Sequence, residues 1–299
     1  MELTREIKAV FGDNKGRFPF CNCLIIDDEI KAVIDTGGGD PLHSRGFDPD
    51  LVILSHYHPD HIRDAASFNR PVYCHPADIP PVEKEEILLD YTSFRELGDT
   101  RARMVLEFLR YRPLPVTGSF ADGDVLNFGR VQLRVLHTPG HSPGHCCFYA
   151  EREGVLFSAD VDLTSFGPWY GHNSCELDAF EESIKRIMSL QPAVVISGHN
   201  DPVRGGEVQA ALQAYLEKIA ERDRLLLDFL ERPATLEEMT DQKFIYGKHP
   251  EPAFLYRHFE KKMLKKHLDR LFTRGQVQVG GKAYRRLEKR QKFFYGGQD

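Results

Sequence analysis

Leu51-Val-Ile-Leu-Ser-His-Tyr-His-Pro-Asp-His61 begins as a strand and ends as chemistry. Leu51, Val52, Ile53 and Leu54 read as the end of a buried strand, and the polar cluster that follows sits where such a strand emerges into a loop. That cluster is His56, His58, Asp60 and His61. In extended backbone residues i and i+2 share a face, so His56 and His58 can converge on one point while Asp60 and His61 reach a second nearby. This is the layout of two adjacent metal sites. Packing does not explain the cluster well, because each buried imidazole needs a partner and neither His nor Asp is a favoured core filler. A polar surface loop after a strand is the competing reading of these residues alone.

The same event recurs along the chain. Asp124–Phe128 and Val131–Leu136 read as a hairpin around Gly129-Arg130 and run into His137-Thr-Pro-Gly-His-Ser-Pro-Gly-His145. Strands at Cys146–Tyr149 and Val155–Phe157 lead to Ser158-Ala-Asp160, and Pro192–Ile196 leads to Ser197-Gly-His199. Each time an apolar strand ends and a His or Asp follows in a Gly-, Ser- or Pro-containing loop, an arrangement in which a rigid sheet fixes the position of every ligand. Upstream, strands at Phe20–Ile26 and Ile30–Ile34 precede Asp35-Thr36-Gly37-Gly38-Gly39. Consecutive glycines permit close backbone approaches, so this loop either runs beside a metal centre or substrate or is a plain turn. Cys21 and Cys23 share a strand face, but without a second Cys pair they are weak metal candidates.

Together these motifs resemble the metallo-beta-lactamase superfamily: His56-x-His58-x-Asp60-His61, then His141, Asp160 and His199, with Asp35-Thr-Gly before them, in this order. The resemblance covers residues 15 to 206 and implies an αββα sandwich, of α/β (α+β) class, with the metal site at one edge. It implies that His56, His58 and His141 hold a first metal, that Asp60, His61 and His199 hold a second, and that Asp160 bridges them. Glyoxalase II-like and endoribonuclease-like hydrolases fall within it.

Working outward, a short helical stretch is expected at Ile62–Phe68 and a strand around Pro71–Cys74. A helical cap insertion is expected over 75–120, including Thr100–Tyr111. The aromatic loop Thr164–Asn173 follows Asp160 directly, so Trp169 and Tyr170 are candidates to line a substrate pocket or to pack over the sheet edge. His145, His172 and Cys175 are candidates for supporting or substrate contacts. Beyond Gly205-Gly206, helices are expected at Glu207–Leu230, from a capping box at Thr235 and Glu238, and at Phe254–Phe272, followed by a hairpin over Gln276–Arg286. That order resembles a small winged-helix domain, dividing the chain into a catalytic domain of 1–206 and a winged-helix-like domain of 207–299.

Of the 299 residues 41% are apolar and 28% charged, as in an ordinary soluble globular protein. The six cysteines form no small-secreted disulfide framework and the first residues lack the apolar run of a signal peptide, so a cytoplasmic protein is expected. No apolar run is long enough to span a bilayer, and no membrane partner is expected. The net charge of −6 is uneven: residues 207–299 carry 19 Lys+Arg against 14 Asp+Glu, and residues 1–206 carry 20 against 31. Residues 261–292 hold 12 basic against 2 acidic side chains, ending near Phe293-Phe-Tyr295. Contact with a polyanion such as RNA, or a solvated helix face, would each use such a segment.

Two divalent ions, zinc foremost with iron or manganese as alternatives, would share one water, lower its pKa and present it as hydroxide, with Asp60 orienting that nucleophile. Hydrolysis of an ester, thioester or phosphodiester is therefore expected, with a small-molecule ester or thioester as substrate. A mononuclear iron persulfide dioxygenase and an RNA-cleaving enzyme are the alternatives that the resemblance leaves open.

Overall fold

The strands pair in chain order into two six-stranded sheets of a computed structural model that describes residues 1–287. The first sheet runs β1 (Ile7–Val10), β2 (Cys23–Asp27), β3 (Lys31–Ile34), β4 (Leu51–Ile53), β5 (Val72–Cys74) and β6 (Gly118–Ser119). β1–β3 are antiparallel, whereas β3, β4, β5 and β6 are parallel. The second comprises β7 (Val125–Asn127), β8 (Gln132–His137), β9 (Cys146–Ala150), β10 (Val155–Ala159), β11 (Val194–Ser197) and β12 (Val203–Arg204), antiparallel except for the β10–β11 pair.

Apolar residues at alternate positions face between the sheets. Leu24, Ile26, Ile34 and Ile53 meet Leu133, Val135, Phe148, Phe157 and Ile196 in one buried core. Both sheets can spare their other faces for helices, which gives the layered αββα architecture.

The helices of this part are α1 (Asp40–His43), α2 (Pro59–Ile62), α3 (Ile79–Glu83), α4 (Glu85–Tyr91), α5 (Asp99–Phe108) and α6 (Leu177–Leu190). α3–α5 lie between β5 and β6, so the helical segment interrupts the first sheet and returns to it through β6. Two sequence expectations need correction. The helical stretch at Ile62–Phe68 is two short pieces, α2 and a 3₁₀ turn over Ala65–Phe68, separated because Asp64 leaves the helical region. The strand expected from Phe20 starts at Cys23, so Cys21 and Cys23 do not share a strand face.

The chain forms two compact units, Met1–Ile219 and the remainder from Ala220. The division falls inside α7 (Glu207–Phe229) rather than at Gly205-Gly206. The smaller unit holds α8 (Leu236–Gln242), α9 (Ala253–Thr273) and a three-stranded sheet of β13 (Ala234–Thr235), β15 (Ala283–Arg286) and β14 (Val277–Gly280), in that spatial order. Leu226, Leu230, Met239, Leu264, Leu268, Leu271 and Val277 form its core. Thr235 caps α8 through the reciprocal box with Glu238. The aromatic run Phe293-Phe294-Tyr295 lies outside the described residues. Among the described residues all six cysteines are free and buried, and no helix is long and apolar enough to cross a membrane.

Candidate metal centre

Each site residue leaves the carboxyl end of a strand. β4 delivers His56 and His58, and the first turn of α2 adds Asp60 and His61; His141 follows β8, Asp160 follows β10, and His199 follows β11. Asp160 is re-aimed by a register break between Phe157 and Ala159 in the β10–β11 pair, where Ala159 takes a φ of 44°. Such a bulge turns a side chain out of the ladder, and a left-handed non-glycine residue beside a site is strain that the surrounding structure must hold in place.

The seven ligand candidates fall into two donor clusters, with Cys21, Asp35 and His61 forming a third group that shares His61. His56, His58, His141 and Asp160, all buried, each offer an atom within 4.8 Å of the others, and Asp60, His61 and His199 do the same. All seven residues singled out in the sequence as ligands therefore meet at one edge of the sandwich. His58 Nδ1 is 2.8 Å from His141 Nε2. Asp160 faces both clusters: its Oδ2 is 3.0 Å from His141 Nε2, and its Oδ1 is 2.9 Å from His61 Nε2 and 3.4 Å from His199 Nε2. Asp60 Oδ2 lies 3.4 Å from His199 Nε2.

The far side of each imidazole is tied down. His61 Nδ1 donates to Asp35 at 2.8 Å; His56 Nδ1 meets Ser55 Oγ at 2.9 Å, and that hydroxyl donates to Asp35 at 2.7 Å. His141 Nδ1 donates to the Trp169 carbonyl at 2.9 Å, and His199 Nδ1 to the Gly16 carbonyl at 2.7 Å. These partners place a proton on the outer nitrogen and turn the inner nitrogen toward the cluster, where a metal would take the place of a second proton. His145 holds Asp160 by another route, its Nε2 accepting the Asp160 backbone N–H at 3.1 Å while Nδ1 meets the Thr138 carbonyl at 3.1 Å. Cys175 Sγ donates to the His141 carbonyl at 2.9 Å.

The electrostatics fit a pair of cations. Burial, reinforced by neighbouring histidines, pushes His56 and His58 well below the ordinary imidazole range, keeping them neutral. Burial works the same way on His199, but Asp160 outweighs it and raises that group to about 9. Burial alone would raise Asp160; His61, His199 and His141 instead hold it well below the usual carboxylate range. Among the described residues His56 Nε2 is buried with no hydrogen-bond partner, and Asp160 Oδ1 has only its ion-pair contacts with His61 and His199. A buried polar atom is seldom left so, and a metal ligated by imidazole and carboxylate would satisfy both; zinc, iron and manganese all accept that donor set.

The family model of the metallo-beta-lactamase superfamily matches residues 16–199, the span that contains every one of these donors. The chain belongs to the metallo-beta-lactamase superfamily. An uncharacterized protein of Aquifex aeolicus (strain VF5) is 31% identical over 63% of this chain and 89% of its own length. An atrochrysone carboxyl ACP thioesterase of Passalora fulva is 28% identical over 66% of this chain, which spans only 54% of that relative. The crystal structure of a metallo-beta-lactamase family protein from Thermus thermophilus superposes with a TM-score of 0.76 at 24% identity, covering 96% of this chain and all of that one (100%), a likeness of fold.

Within this superfamily frame Gly37 is explained by contact, and Gly39 by its positive φ of 64°. A Cβ on Gly37 would sit 1.6 Å from the Asp60 carbonyl oxygen, and one on Gly198 would sit 2.9 Å from both Asp160 Oδ1 and His61 Cε1. Trp169 is half-buried with its ring 5.8 Å from that of His58, whereas Tyr170 has no exposed surface and cannot line an open pocket.

Sequence reasoning passed over Asp78, which accepts from the Tyr57 N–H (3.0 Å), the Ser142 hydroxyl (2.7 Å) and the Gly144 N–H (2.7 Å). It thereby ties the His56–His58 loop to the His141 loop from fully buried surroundings. An acidic residue flanked by Ala77 and Ile79 carries no local sign of such a role.

Proposed function

We propose that the protein is a dinuclear metal-dependent hydrolase acting on an ester or thioester, with a thioester favoured. The observation that carries the two-metal reading is Asp160, whose two carboxylate oxygens each face a different histidine cluster. His56, His58 and His141 would hold one ion, Asp60, His61 and His199 the other, and Asp160 both. Ions held there supply Lewis acidity and acidify the attacking water.

The chain's own residues do the rest. Asp35, Ser55, Trp169 and Gly16 fix four of the five ring orientations, so those imidazoles need not reorganise during turnover. Asp60, in the first turn of α2, would accept a hydrogen bond from the attacking water and aim it. A thiolate leaving group, whose acid ionises near ~8.5, asks less of a general acid than an alkoxide or amine does. The thioesterase name of a relative supports the same substrate class. A one-iron dioxygenase would leave Asp60, His61 and His199 without a role.

We read the smaller unit as winged-helix-like, from helices followed by a two-stranded hairpin. Part of its basic charge among the described residues is already paired: Arg257 with Glu237 and Asp241, Lys261 with Glu237, Arg286 with Asp228. This favours a small-molecule substrate over RNA.

The test is elemental analysis of protein purified without added metal or chelator, followed by a panel of acyl thioesters, lactones and phosphodiesters. About two divalent ions per chain and turnover of thioesters at rates insensitive to salt are expected. A single iron, with oxygen consumed on a persulfide, would overturn the reading, and turnover of RNA that falls steeply with salt would replace the substrate.

A further inference from the structure

Among the five candidate ligand histidines, His58 is held differently. His56, His61, His141 and His199 turn their Nδ1 outward to an oxygen. His58 turns Nδ1 inward, toward His141 Nε2, and so presents Nε2 to the outside. A histidine that ligates through Nδ1 keeps the ion close to its own backbone, and its far nitrogen projects away from the strand end. There it meets the imidazole of His172, Nδ1 to Nε2, at 2.9 Å.

We propose that His172 is a positioning residue for the first metal: its Nδ1 accepts the His58 Nε2–H and fixes the His58 ring so that its bare Nδ1 points at the ion. The inference rests on the metal-site reading above.

The surroundings hold His172 to that task. It is almost fully buried and is boxed by aromatic edges, with Trp169 at 4.8 Å and 88° and Phe94 of the helical insertion at 5.4 Å and 88°. Tyr57, between His56 and His58 in the chain, lies across its face at 6.3 Å, and the Tyr57 hydroxyl pairs with Ser174 at 2.8 Å and lies a longer 3.4 Å from His172 Nδ1. Trp169 also lends its carbonyl to His141. The tetrapeptide Trp169-Tyr170-Gly171-His172 therefore orients two of the three histidines of the first cluster. Losing a partner that orients a ligand typically weakens metal binding about 10- to 100-fold.

The experiment uses the full chain, loaded with Zn²⁺ alone, as wild type, His172→Leu and His172→Asn, with chelator competition resolving the two ions. The expected result is that in His172→Leu one of the two ions is lost at a chelator strength about 10- to 100-fold lower while the other holds. In His172→Asn, whose Oδ1 can take the place of Nδ1, both ions stay close to wild type. A Leu variant with both affinities intact overturns the inference, as does an Asn variant weakened as much as the Leu variant, which would make the role one of ring packing. Should the Leu variant not fold, nitrogen-15 correlation spectra of zinc-loaded wild type decide: a His58 proton on Nε2 supports the inference and one on Nδ1 overturns it. Wild type that binds no Zn²⁺ overturns this inference and the metal reading together, whereas wild type with two ions and an unaffected Leu variant overturns this one alone.

Discussion

The two donor clusters share Asp160 yet are braced by different parts of the chain. The second cluster leans on the sheet itself: Asp35, at the end of β3, holds His61, and the Gly16 loop that holds His199 is pinned through Asn22, whose side chain donates to the Ser197 and Asn200 carbonyls at 2.9 Å each. The first cluster leans on loops and the helical insertion, through Trp169, His172 and Asp78. The difference teaches that two neighbouring donor clusters can be tuned separately, because their side chains are oriented from behind and the elements behind them differ.

The strongest challenge to that separation is Asp160→Ala, which removes the one group common to both clusters. It is expected to lower occupancy of at least one ion and cut turnover by more than the ~100-fold that loss of a supporting partner causes. Unchanged stoichiometry in elemental analysis would contradict a bridging carboxylate. Asp35→Asn comes next, with roughly 10- to 100-fold weaker binding expected at the second cluster and a smaller change at the first, reached only through Ser55. Equal losses in chelator competition would dissolve the comparison.

Acid offers a gentler probe. His75 stacks on His137 with ring centres 4.0 Å apart, and burial, then His137, lowers it from 6.5 to about 4. Below pH 6.5 the unfolded chain takes up a proton that the folded one refuses, so stability present above that pH is lost progressively down to about pH 4. His137 Nε2 donates to the Pro143 carbonyl at 2.8 Å, in the loop of His141, which places the strain behind the first cluster. Urea midpoints of His75→Phe should fall less across that window than those of wild type, and parallel curves would exclude His75. Smallest of all at the metal centre is Thr235→Ala in the other unit. It removes the α8 capping box at a cost of about 1 kcal/mol in urea unfolding, with metal content unchanged. A shift in metal content there would show that the bracing extends beyond the parts named.

The sequence made the ligands legible because each follows an apolar run with strand character, and a strand end fixes position without help from distant residues. The individual strands and the helix and hairpin order after Gly206 were legible for the same reason, from periodicity and capping chemistry, whereas the αββα layering was implied by the resemblance to the superfamily. What failed to show was of two kinds. α6 buries Leu177, Phe180, Ile184 and Ile187 on one face, but Glu176 at its start makes no side-chain cap, and no breaker announces the helix. β1, β6 and β12 are short and exist through pairing with strands defined elsewhere. Asp78 and His172 act on residues far away in the chain, Ser142 and His58, and no local pattern encodes such a meeting.

Asp35, His56, His141, Asp160 and His199 all depart from the carboxyl ends of β3, β4, β8, β10 and β11, and none from the opposite ends. The sandwich thus has one edge that carries the site and one that carries only connections. Replacements at the second edge are felt as folding, while loops at the first can lengthen or change sequence around the fixed side chains without disturbing the core between the sheets. Recognition and folding are therefore written into separate parts of this scaffold.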